Sequence, residues 1–82
     1  MAEHELRTWP EYFQAVRDGL KTFEVRKNDR FFQVGDILLL REYEPEPDKY
    51  TGRQLKAIIT YILDDFPGLS SGWVVMGMKV VT

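Results

Sequence analysis

Apolar and polar residues change period several times along the chain, and each change marks an element. His4–Thr8 alternates, with Leu6 between polar neighbours, and predicts a short first strand. Trp9, Tyr12, Phe13, Val16 and Leu20 then recur at spacings of three and four, which lines one face of a helix. Pro10 suits the first helical turn, where its missing N–H costs nothing, and Thr8 is positioned to cap it. Glu11 near the start and Arg17 near the end complement the helix dipole. Gly19 supplies the stop, because it enters the left-handed region without a Cβ penalty.

From Thr22 to Lys27 the period falls to two: Phe23 and Val25 face one way, Thr22, Glu24 and Arg26 the other. Asn28-Asp29-Arg30 breaks this strand, and Val34-Gly35-Asp36 turns the chain into Ile37–Glu42. The run Ile37-Leu38-Leu39-Leu40 is apolar on both faces, which predicts a central strand. Pro45, Pro47 and Gly52 bracket a polar hairpin-like loop. Strand Arg53–Leu63 follows, then a Pro67-Gly68 loop and a last strand, Trp73–Val81. This order gives an α+β domain with one main N-terminal helix and about five strands. A sheet of that size is expected to curl into a small β-barrel, which removes exposed edges.

Eighty-two residues accommodate one domain, 1–82, and a chain this short needs a well-filled core. Phe13, Phe23, Phe31 and Phe32 are bulky enough to build it. Trp9 and Trp73 are read as core residues, with base stacking as the other reading. There is no cysteine and His4 is the one imidazole, so neither a metal centre nor a cofactor is expected. His4 itself reads as a polar strand residue or a cleft-lining one. The opening MAEHELR is acidic and lacks an apolar stretch, so it does not resemble a secretory signal. Trp73–Val81 is half the length of a membrane-spanning helix and is interrupted by Lys79. The expectation is a cytoplasmic monomer that makes no membrane contact.

The formal charge of −2 gives no global argument for nucleic-acid binding, but the charges are unevenly spread. Arg17, Lys21, Arg26, Lys27 and Arg30 outnumber three acids between residues 17 and 30, while Glu42–Asp48 carries four acids and no base. In Gly19–Arg26 a helix-ending glycine precedes a lysine, and a strand then presents Glu24 and Arg26 on one face, about 6–7 Å apart. Arg26 offers a planar fork to phosphate or a carbonyl edge, and Glu24 can accept from the amino group of a base. A surface ion pair, worth about 0–1 kcal/mol, uses the same two residues without any ligand.

The pattern Gly-x-Lys-x-x-Glu-x-Arg at Gly19, Lys21, Glu24 and Arg26 resembles the signature of ASCH domains, a branch of the PUA-like β-barrel superfamily associated with RNA and modified nucleosides. Further stretches resemble a small uncharacterised PUA-like family of bacteria and phages: His4-Glu5-Leu6, Lys21–Arg30, Val34–Leu38, Tyr50–Arg53 and Gly72–Met78. The resemblance implies a cleft between barrel and helix faced by Lys21, Glu24 and Arg26. Asn28 and Arg30 extend the match and can reach a phosphate or base; Arg30 can equally pair with Asp29 or Asp36. Tyr50 and Arg53 flank Thr51-Gly52 on the long loop, where the tyrosine either stacks on a base or packs against the barrel.

Three functions follow. The first is binding of RNA or a nucleotide-like ligand in that cleft. The second is a small amidohydrolase acting on modified nucleosides, as in some ASCH relatives that use a threonine nucleophile. This chain has Glu24 at that position, so no catalytic residue is assigned. The third is a protein-interaction regulator of phage or mobile-element origin, working through an edge strand or the acidic Glu42–Asp48 loop. Asp64-Asp65 reads as loop solvation.

Overall fold

The computed structural model of the chain describes residues 1–81. Its elements are β1 (Glu3–Thr8), α1 (Pro10–Arg17), β2 (Phe23–Lys27), β3 (Ile37–Glu44), β4 (Lys49–Leu63) and β5 (Trp73–Val80). The five strands form one mixed sheet in the order β1-β3-β4-β5-β2. β1 runs parallel to β3, and the other neighbours are antiparallel. Register shifts between Arg41 and Tyr43, and between Ile59 and Tyr61, add the local twist that curls the sheet into a half-barrel. β3 is paired along both edges, as its apolar run predicts.

Inward positions alternate along every strand. Leu6 on β1, Leu38 and Leu40 on β3, Ala57 and Ile59 on β4, and Val74 and Met76 on β5 are buried together. Phe13 and Val16 bring α1 onto that core. On β2 the inward position is Glu24, opposite Met76 in register, while Phe23 and Val25 turn outward. The strand that carries the charges therefore presents its polar face to the inside.

Several expectations are corrected. Thr8 ends β1 and does not cap the helix; Trp9 takes the cap position and makes no side-chain cap bond. The helix is shorter than its apolar periodicity, and Leu20 is 80% exposed. It stops in a Schellman arrangement: Leu20 N–H donates to the Ala15 carbonyl, Gly19 N–H donates to that of Val16, and Gly19 has φ +77°. Tyr50–Arg53 belongs to β4, not to a loop; the turn between β3 and β4 spans residues 45–48. Trp9 and Trp73 are 48% and 40% exposed, and Phe23 and Phe31 are exposed too, so the core is mainly aliphatic around Phe13 and Phe32.

Two buried carboxylates hold the frame. Asp36 Oδ2 lies 2.8 Å from His4 Nε2, and the carboxylate also accepts from the Ala2 and Gln33 N–H groups, pinning the start of β1 beside β3. His4 is thus a buried strand residue, edge-on to Phe32, and does not line the cleft described below. Glu42 accepts two bonds from Arg53, at 2.9 and 3.0 Å, and one from Thr51, while Arg53 also donates to Gln14 of α1. His4 lowers the Asp36 pKa and Arg53 lowers that of Glu42, in each case through the hydrogen bond and against the opposing effect of burial. Among the described residues no helix is long and apolar enough to cross a membrane.

Because both carboxyl groups have depressed pKa values in the fold, their stabilisation is complete above the ordinary carboxylate range, about 4–4.5, and is lost as pH falls through the folded values. The melting temperature is expected to fall steadily below about pH 4. In D36N and E42Q it should start lower and depend less on pH, as calorimetry across that range would measure.

Candidate functional site

A cleft of about 690 Å³ opens between β1 and β2, the two edges of the curled sheet. Its floor is built on Glu24, 3% exposed, whose two oxygens are taken by different cations. Lys21 Nζ lies 2.8 Å from Oε1 and Arg26 Nε 3.0 Å from Oε2. Lys21 also donates to the Phe23 carbonyl at 2.8 Å and sits within 6 Å of the Tyr12 and Phe23 ring centres. The Schellman turn is what delivers Lys21 to this position, since it redirects the chain within two residues of the helix end.

Arginines span the gap between the edges. Arg26 Nη2 donates to the Arg7 carbonyl at 2.8 Å, and Arg30 Nη1 donates to the Glu5 carbonyl. These bonds occupy carbonyls of β1 on its unpaired side, which leaves fewer free acceptors along that sheet edge. Trp9 and Tyr12, stacked at 6.2 Å, form the wall at the helix end, and Trp73 forms part of the other. Four cations (Lys21, Arg26, Lys27 and Arg30) and two carboxylates, Glu24 and Asp29, line the cleft, while the Arg7 guanidinium is turned to Tyr43 and Tyr50. An acidic chain thus carries a locally positive, aromatic-walled groove, which focuses field on an anionic ligand.

Of the residues singled out from sequence, the fold brings Lys21, Glu24, Arg26 and Arg30 together. Arg30 pairs with Asp29 at 3.5 Å, and Asp36 is committed to His4. Asn28 does not line this cleft; its Oδ1 accepts from the Phe32 N–H at 3.0 Å and shapes the loop, and it borders a second, smaller cavity beside Asp64 and Asp65. Tyr50 lies outside the cleft, under Arg41 and edge-on to Tyr43, and its hydroxyl accepts from Arg7. Arg53 is held by Glu42 and packs on the Phe13 ring, tying α1 to the β3–β4 hairpin.

Sequence reading missed Arg7 and Thr8. Thr8 points inward with His4 and Leu6, is 2% exposed, and its hydroxyl has no hydrogen-bond partner among the described residues. The strict alternation of β1 was the available signal for it. Aromatic bulk in a short chain favours burial of the two tryptophans over a stacking role, yet both are partly exposed and line the cleft.

Fold and site together define a small α+β half-barrel with a cationic, aromatic-walled cleft between its edge strands. The chain belongs to the family described as "Domain of unknown function (DUF3850)", matched over residues 3–78. It is also similar to the "Uncharacterized 12.9 kDa protein in GpA 3'region" of Escherichia phage P2, with 39% identity over 61 residues. That match covers 74% of this chain and 54% of the phage protein, so the chain spans about half the length of that relative.

Two substitutions separate the roles within the cleft. E24A strands two cations that can only partly rehydrate, and should cost about 1–3 kcal/mol by urea denaturation, above the 0–1 kcal/mol of a surface pair. T8V removes a hydroxyl that has no partner, so the same measurement should find it neutral or stabilising.

Proposed function

We propose that the cleft binds RNA or a nucleotide-like ligand, and that the chain is a cytoplasmic binding module of ASCH type in the PUA-like superfamily. The observation that carries this reading is the joining of three cations with two aromatic walls around one buried carboxylate. Arg26 and Arg30 supply planar donors for phosphate. Trp9, Tyr12 and Trp73 offer faces on which a base stacks, an interaction worth about 1–3 kcal/mol per base. Lys21 keeps a third N–H beyond its two bonds and can serve a phosphate or carbonyl oxygen.

Glu24 fits this reading better than a hydrolytic one. Each of its oxygens is engaged by a cation, which suits a fixed group that orients Lys21 and Arg26. A covalent mechanism of the amidohydrolase kind needs an activated nucleophile, and the carboxylate stands where those relatives have a threonine.

Titrating the isotope-labelled protein with nucleoside 5′-monophosphates and short single-stranded RNA tests the proposal. Amide and side-chain signals of Lys21, Glu24 and Arg26 should shift, with RNA affinity falling about tenfold between about 50 and 200 mM salt. R26A should lose most of the response. Unmoved signals along residues 19–30 with every ligand would reject the reading.

A further inference from the structure

The cleft is a track, and its order can be read from the two arginine bridges. Arg30 reaches Glu5 and Arg26 reaches Arg7, so the numbering descends on the β2 side as it ascends along β1. Those two cations are therefore spaced by two strand residues, about 6–7 Å. Continuing the same way places Glu24 and Lys21 at the Thr8–Trp9 end, which agrees with Lys21 lying over Tyr12. Three cations thus follow one another along β1, with the stacked Trp9–Tyr12 pair at one end.

The other end holds Phe31. Its neighbours Arg30 and Phe32 both line the cleft, yet Phe31 turns away and is 84% exposed. Its φ is +51°, a conformation that bulky residues rarely adopt and that glycine adopts freely. The loop is held in this form by the Asn28 side chain, which accepts from the Phe32 N–H. Phe31 therefore contributes little burial and takes an unfavourable backbone conformation. An aromatic ring kept in solvent on those terms, between two residues that line a cationic groove, has the attributes of a stacking platform.

We propose that the ligand is a single strand of RNA laid along β1, with Phe31 stacking a base that lies outside the cleft. A mononucleotide fills only the inner part of this site. The inference rests on the reading of the cleft as a nucleotide site and extends it to the length of the ligand. A spaced series of cations with an aromatic at each end is the arrangement that tracks a sugar–phosphate backbone while remaining tolerant of sequence.

The test compares uridine 5′-monophosphate with tetrauridylate on the wild-type chain and on F31G. The tetranucleotide should bind wild type at least about tenfold more tightly than the mononucleotide, since one stacked base contributes that much. F31G should lose about tenfold or more for the tetranucleotide, keep its affinity for the mononucleotide, and melt at the same or a higher temperature. Equal affinities for the two ligands, or an F31G chain that binds tetrauridylate as wild type does, overturn the track while leaving the cleft as a nucleotide site. Failure of both ligands to bind wild type overturns both. A wild-type dimer that F31G dissociates would assign Phe31 to a second copy of the chain and also overturn the proposal.

Discussion

The buried carboxylate of Glu24 is the constraint around which the rest is arranged. A carboxylate this far from water is tolerated only if paired and hydrogen-bonded, and here Lys21 and Arg26 take one oxygen each. The pairing fixes Arg26, and Arg26 in turn reaches the Arg7 carbonyl across the gap between β2 and β1. Strands at opposite ends of the sheet order are thereby held side by side without a backbone ladder between them. The sheet is closed by side chains at this seam, and the seam is the cleft.

Two further frame contacts lie away from this seam: Asp36 with His4 fastens β1 to β3, and Glu42 with Arg53 fastens α1 to the β3–β4 hairpin. Both use a buried acid with saturated hydrogen bonding, and neither borders the cleft. The cations around the cleft are partly exposed, and Arg26 and Arg30 combine a carboxylate partner with a bond to a β1 carbonyl. The opposite sign of the whole chain restricts this positive potential to one groove.

Much of this was legible from the residues. Periodicity gave the helix and all five strands, because alternation and three-four spacing follow directly from where side chains must point. The cluster Lys21, Glu24 and Arg26 was visible for the same reason, as a polar face on a short strand. Its burial was not, because alternation separates two faces without saying which one turns inward; on β2 the polar face does, and Phe23 and Val25 are outside. Arg53 and Tyr50 stand close to a plausible loop in sequence, but in the bulged β4 they are engaged outside the cleft, Arg53 by Glu42 and Gln14 and Tyr50 by Arg41, Tyr43 and Arg7. Exposure of Trp9, Trp73 and Phe31 contradicts what hydrophobicity suggests, and such departures concentrate where a surface is used.

Trp9 and Trp73 are the chain's two tryptophans, and both line the cleft, so tryptophan fluorescence reports on ligand entering it. The decisive measurement is tryptophan emission during titration with tetrauridylate, repeated at raised salt. A saturable change whose midpoint moves to higher ligand concentration with added salt is the predicted result. Emission that stays flat through saturating ligand at low salt would contradict the assignment of the β1–β2 seam as a nucleic-acid site.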